Sequence, residues 1–302
     1  MVGCDCNAGL SNTGSPNCVP IQSVVSSLIV VPLTADDGTS NKIDLTSLPT
    51  WSSLVNEADA SKRWFPLPAF ENVELPKADS QFEEANSGRM AFLRQGKRSF
   101  TGELWAEDST PTFLGKLVKS RCVDFGIYIV DVNGALIGSQ VGTELYPIPV
   151  DNSSWDPKFN FATDSTVQKI VLGFDFDRLF DESTMYMIQA DEAIDFTSLK
   201  GLVDVIFSSA SAASTTAASF TCKFEYGTAV AKLAYSGAIA TANWSLYNNT
   251  TSSSIGAPAT VSESATVPGE YSITFAAQSS SDVIKISVSN DGYIGSTTVT
   301  IP

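Results

Sequence analysis

The 302-residue chain carries 18 Lys plus Arg against 33 Asp plus Glu, a formal net charge of -15, with 43% hydrophobic residues and no histidine. Such a chain is long and apolar enough for one large core or two ordinary ones, and its charge excludes a surface built to grip nucleic acid. The missing imidazole excludes Ser-His-Asp triads, Cys-His dyads, His general bases and His-containing zinc sites, so carboxylate-only or lysine chemistry is what survives.

The chain opens on "MVGCDCNAGLSNTGSPNC", turn-rich and without periodicity, which reads as an N-terminal arm over residues 1–22. Cys4, Cys6 and Cys18 fall short of the four ligands of a structural zinc, and a fourth has to come from Cys122, Cys222 or a carboxylate. Five cysteines is an odd number, so a full set of internal disulfides cannot form. The first residues also lack the basic start and apolar core of a secretory leader. The longest apolar run, "VVSSLIVVPL", is broken by Pro32 and falls short of the roughly 18 residues that cross a bilayer. Synthesis in a cytoplasm, free thiols and no membrane anchor are the resulting expectations.

"VVSSLIVVPL" itself reads as a buried strand, followed by the turn "TADDGTSN". From residue 42 to about 88 the chain is loop-rich. "WSSLVNEAD" fits a short helix, and the prolines of "WFPLPAF" and "VELPK" confine those segments to sheet edges or surface loops. So long a stretch within a compact domain is expected to contact something.

"RSFTGELWA" alternates, with Phe100, Gly102, Leu104 and Ala106 on one face and Thr101, Glu103 and Trp105 on the other, which predicts a strand. "PTFLGKLVKSR" places Phe113, Leu114, Leu117 and Val118 at helical spacing and predicts a short amphipathic helix. In "CVDFGIYIVDVNGALIGSQ" the Asn133-Gly134 pair between two apolar runs predicts a tight hairpin. "TELYPIPV", "KFNFAT", "STVQKIVLGFDFDRL" and "LKGLVDVIFSS" supply further strands, so residues 23–208 read as one mainly antiparallel β domain with a short flanking helix.

"SSASAASTTAAS" is small and uncharged, and residues 209–223 read as a linker. Six short strand-like segments follow, "FTCKFEYG", "AKLAYSG", "ANWSLYN", "GEYSITFAAQ", "DVIKISVSN" and "GSTTVTIP". Their spacing predicts an immunoglobulin-like β-sandwich over residues 224–302, without paired cysteines and with Trp244 as its core aromatic.

Several clusters carry residue types suited to chemistry. Asp175, Asp177, Asp181 and Glu182 in "LGFDFDRLFDES" have the residue types of a calcium site or an acid and base pair, but the calcium-loop glycine is missing and solvated charge at a strand end is the better reading. Arg89, Arg94, Lys97 and Arg98 form a local basic cluster, expected to pair with acidic residues of a neighbouring copy. Asn243, Asn248 and Asn249 stand in N-x-[ST] sequons that, without a secretory signal, are chance matches. No catalytic, cofactor or metal residue is assigned.

The block from "RSFTGELWAEDSTPTFLGKLVKSRCVDFGIYIVDVNGALIG" through "STVQKIVLGFDFD" resembles the tail tube proteins of long-tailed bacteriophages. The resemblance rests on a strand, a short helix, the Asn-Gly hairpin and a long late strand, and spans roughly 120 residues. It implies a β-sandwich or barrel with one flanking helix, six copies in a ring, and rings stacked through loops and terminal arms around a lumen that passes double-stranded DNA without holding it. It also implies contacts with other tail proteins, and a virion protein assembled in the bacterial host cytoplasm that is not an enzyme. Some members carry a C-terminal immunoglobulin-like domain. Residues 1 to about 85 exceed what that core needs, and are expected to supply the inter-ring arm and loops. Two other readings fit the same sequence: a capsid decoration or head-fibre protein, and a carboxylate-based glycan-active enzyme or glycan-binding module.

Overall fold

The computed structural model describes residues 21–190, 195–224, 234–290 and 292–302. Cys4, Cys6, Cys18 and most of the expected N-terminal arm lie outside the described residues. Two compact units divide the chain, residues 1–201 and 202–302.

The first unit runs β1 (Val25–Pro32), β2 (Ile43–Asp44), α1 (Trp51–Val55), β3 (Phe65–Pro66), β4 (Glu71–Glu74), β5 (Gln81–Glu84), β6 (Met90–Arg94) and β7 (Ser99–Trp105). It continues through α2 (Pro111–Ser120), β8 (Phe125–Asp131), β9 (Leu136–Val141), β10 (Glu144–Tyr146), β11 (Ile148–Pro149), β12 (Asp156–Asn160), β13 (Lys169–Asp175) and β14 (Met185–Ile188). One sheet has the order β2-β10-β9-β8-β1-β3, with β11 on β8 and β14 on β9; the other has the order β12-β13-β7-β4. Every pairing in both is antiparallel.

Leu28, Val30, Ile127 and Ile129 of the first sheet share one buried cluster with Phe100, Leu104, Ile170, Leu172 and Phe174 of the second, which makes this unit a β-sandwich. The alternation of β7 is realised: Phe100, Gly102 and Leu104 face inward and their neighbours do not. Helix α2 begins where Thr110 accepts a hydrogen bond from the Phe113 N–H with Pro111 in the first turn. It lies by the β12 edge, its Leu117 carbonyl accepting from Trp155 Nε1 at 2.8 Å.

The Asn-Gly hairpin joins β8 to β9, but through three residues rather than two. Gly134 N–H donates to the Asp131 carbonyl, Asp131 N–H to the Ala135 carbonyl, and Gly134 alone takes positive φ, at 80°. The same closure recurs at Ala35–Thr39 with Gly38 and at Ala85–Arg89 with Gly88, where φ is 83° and 82°. Each is a type I turn followed by a left-handed glycine. Asp131, 1% exposed, holds its turn further: its carboxylate accepts from the N–H groups of Ser23, Asn133 and Ala135 at 2.8–3.0 Å.

The long stretch after β1 has a structural task. Trp64 stacks near Tyr128 of β8 at 4.9 Å between ring centroids, and Trp51 of α1 meets Phe196 at 4.7 Å. These aromatics cover the sheet face opposite the sandwich core, so all seven residues of β8 are buried. Trp51 and Trp64, within the stretch 43–66, thus help to cover their own sheet. The proline reading holds: β3 and β4 each sit at the end of a sheet.

The second unit runs β15 (Val203–Ser214), β16 (Ala217–Phe224), β17 (Trp244–Asn248), β18 (Ser253–Gly256), β19 (Thr260–Glu263), β20 (Glu270–Thr274), β21 (Val283–Asn290) and β22 (Tyr293–Thr300). Their order is β18-β17-β21-β22-β15-β16-β20-β19, with β15 joining the two halves. Lettered A to G with C′ as β18, this gives A-B-E-D on one side and C′-C-F-G on the other, the strand arrangement of an immunoglobulin-like sandwich. Trp244 is 2% exposed on strand C, at the centre of a cluster with Phe220 and Tyr271.

The expected linker 209–223 and the start at 224 are corrected. These residues are the end of β15 and most of β16, and "LVDVIFSS", from residue 202 on, belongs to the second unit rather than the first. Small side chains hid the strand, since Ala210 and Ala212 pack against the core through little more than a methyl group. Of "AKLAYSG", Tyr235 is buried and no named strand forms among the described residues; β18 and β19 were not foreseen.

Candidate functional site

Strands β4 and β7 do not stop at the sheet. Ser99 N–H donates to the Pro76 carbonyl, Lys77 bridges Arg98, and Ala78 N–H donates to the Lys97 carbonyl. After a break the same two chain segments pair again as β5 and β6, with Gln81 opposite Arg94 and a register shift before Phe82. The result is a β-ribbon over residues 71–105 whose far end pairs with no third strand among the described residues.

The tip of that ribbon is exposed at every position of β5 and β6. Phe82, Met90, Phe92 and Leu93 are 52–59% exposed, and the rings of Phe82 and Phe92 meet edge to face at 5.7 Å. A two-stranded hairpin alone is marginal in water, and Phe82, Met90 and Phe92 share one face of it as a patch rather than scattered exposure, with Leu93 on the other face.

The root is electrostatic. Lys97 Nζ lies 2.5 Å from the Asp175 carboxylate, which also accepts from Ser99 Oγ at 2.6 Å. Arg98 Nε donates to Glu182 Oε1 at 2.8 Å and Lys77 Nζ to Glu182 Oε2 at 2.6 Å. Nearer the sheet, Lys169 Nζ lies 2.6 Å from Glu103, which accepts as well from Asn72 and Trp105. Arg98 and Lys169 hold Glu182 and Glu103 below the usual carboxylate range. For Asp175 burial pushes upward, but the bonds from Lys97 and Ser99 outweigh it and the net shift is downward.

The two charge clusters seen in the sequence are thus partners of each other. Lys97 and Arg98, expected to meet acids of a neighbouring copy, take Asp175 and Glu182 of their own chain. Arg94 bonds Gln81 at 2.7 Å on the hairpin. Asp177 and Asp181 accept from the N–H groups of Leu179 and Ser183 in local turns. A carboxylic general acid needs a raised pKa, and both Asp175 and Glu182 are shifted the other way. The signal for this pairing was present as two short clusters of opposite sign, but their separation of about eighty residues concealed it.

Between the hairpin root and the chain after β13 lies a cleft of about 730 Å³, lined by Asp79, Gln81, Arg94 and Lys97 on one side and Asp151, Asp177, Arg178 and Leu179 on the other. Leu179 is 70% exposed there. Among the described residues no group of three metal-ligating side chains converges, and no helix is long and apolar enough to cross a membrane. Cys122 is exposed just beyond α2, and Cys222 lies in β16. Of the sequon residues, Asn248 is buried and donates to Gln278 and Asp282, while Asn249 is exposed.

No protein-family model matches the chain, and no curated protein matches it. Among solved structures, the full ectodomain (Ig1–Ig3) of mouse nectin-like molecule 4 aligns at 9% identity over 93% of this chain and 96% of that one, with a TM-score of 0.17. A likeness of that extent carries no argument about role.

Proposed function

We propose that the chain is a structural, self-assembling virion protein: the subunit of a long-tailed phage tail tube, forming hexameric rings that stack around a DNA-conducting lumen. The carrying observation is the β5–β6 hairpin, an unsupported ribbon tip with four exposed apolar side chains, which is marginal in water and gains by burial against a partner surface. A net charge of -15 supports a lumen that DNA slides through without adhering. The edge strand β14 supports ring formation, since an edge without a partner strand among the described residues is a template for pairing with another copy. On this reading the protein is not an enzyme. It meets other tail proteins, is assembled in the bacterial host cytoplasm, and carries its immunoglobulin-like unit as an added module.

Electron microscopy of the purified protein tests this directly. Stacked rings or open-lumened tubes are expected, and replacing Phe82 and Phe92 with Ser is expected to leave folded subunits that no longer stack. Discrete monomers or trimers of the wild-type chain at every concentration would overturn the reading in favour of a capsid decoration protein or a glycan-binding module.

A further inference from the structure

The ribbon changes character within a few residues. Below the break it is tied to the sandwich, and above it the tip pairs with no other named strand among the described residues. At the break sits Gly96, where a Cβ would overlap the Ala78 carbonyl oxygen, so the two strands cross closer there than any side chain permits. The ladder is interrupted at the same level, between the Ala78–Lys97 hydrogen bond and the Gln81–Arg94 pair.

Directly below, Lys77 and Arg98 stand opposite each other across the ladder. Like charges in that position repel and destabilise a strand pair. Here Glu182, from the turn before β14, accepts from both, one oxygen to each, so a single carboxylate staples both strands of the ribbon to the body of the unit. Lys97 and Asp175 add a second tie one residue further along. All five side chains are partly exposed, at 25–42%, within reach of dissolved salt.

We propose that the ribbon is a hinged arm: it turns where it leaves the sheet, the close crossing at Gly96 couples the tip to the root, and the Glu182 staple with the Lys97–Asp175 pair is an ionic latch that fixes the direction in which the hairpin projects. Removing Glu182 leaves Lys77 and Arg98 facing one another without a counter-charge, so the latch opens at its base rather than merely loosening. The cleft beside the hinge is the space into which the freed arm swings. This device is a property of the single chain and does not depend on the tail-tube reading.

The test is a distance measurement by pulsed electron resonance on the full chain, with nitroxides attached to keto-bearing residues placed at Ser87 in the hairpin turn and at exposed Asp164 on the sandwich, which avoids the native cysteines. At low salt the wild-type chain is expected to give a single narrow distance distribution. Glu182→Gln combined with Asp175→Asn, and separately wild type in about 1 M salt, where the screening length is about 3 Å, are expected to lose that single narrow peak, with the far-UV spectrum unchanged. The salt arm needs no substitution, so a variant that fails to fold does not shelter the proposal. A distribution that stays narrow at high salt, or is already as broad in wild type at low salt, overturns it.

Discussion

The two units solve the same problem, burying one face of a sheet, and then treat the other face in opposite ways. In the first unit, β8 reads "FGIYIVD" and every residue is buried, because Trp51, Trp64 and Phe196 cover the face that the sandwich core does not. In the second, β21 reads "VIKISVSN" and buries only alternate residues, with Lys285 and Ser289 outward. A continuous apolar run in a strand therefore signals a second cover, and strict alternation signals water on one side. Trp51 and Trp64 of that cover come from the loop-rich stretch, and Phe196 from the chain after β14.

The difference can be broken by removing the cover. Trp64→Ala, which strips the outer face of Tyr128, is expected to destabilise the first unit by about 3–5 kcal/mol and leave the second unit's unfolding unchanged, measured by calorimetry on the full chain. Trp244→Ala should do the reverse with similar size. A result in which both substitutions shift both transitions would show that the units do not unfold independently.

Asp131→Ala leaves two N–H groups of the turn and that of Ser23 without their acceptor and is expected to cost about 1–3 kcal/mol, with faster amide exchange at Asn133 and Ala135. Thr110→Ala removes the cap of α2 and should cost about 1 kcal/mol. At the outward positions of the second unit the comparison predicts almost nothing: Lys285→Ser should stay within about 0.5 kcal/mol.

Acid gives the mildest contrast. Glu103, Asp175 and Glu182 have folded-state pKa values below their ordinary 4.5, 3.8 and 4.5. Their contribution is thus complete above those values and is lost as the pH falls through the lower folded ones. The first unit should lose more stability than the second below about pH 4.5, because it holds three such carboxylates where the second holds Glu263 low, seen as the larger fall of its transition in pH-dependent melts.

Much of this was legible where local chemistry decides. The 113–118 apolar spacing announced α2, and the β7 alternation predicted that Phe100, Gly102 and Leu104 are inside, whereas Ala106, beyond the end of the strand, is exposed. The immunoglobulin-like sandwich with Trp244 at its core followed from strand spacing. What stayed hidden depends on contacts remote in sequence or on side chains too small to mark a face. The Ala/Ser run of β15 and β16 has the composition of a linker and the pairing of a strand, because its neighbours supply the bulk. The Arg98–Glu182 tie joins residues that no local pattern connects. The hairpin tip was visible as "RMAFLRQGKR", but read by charge alone it concealed that Met90, Phe92 and Leu93 are its exposed content.

One pairing in the second unit carries a kinetic consequence. β15 opens that unit and meets its last strand in parallel, Val203 beside Tyr293 and Asp204 beside Ile294. These partners lie about ninety residues apart, and such non-local contacts slow folding because loop closure must precede any gain. The β8–β9 turn of the first unit closes within five residues and is available to nucleate at once. On a ribosome the first sandwich can therefore be finished while the second still waits for its final strand, leaving β15 and β16 as a temporarily open-edged pair during synthesis.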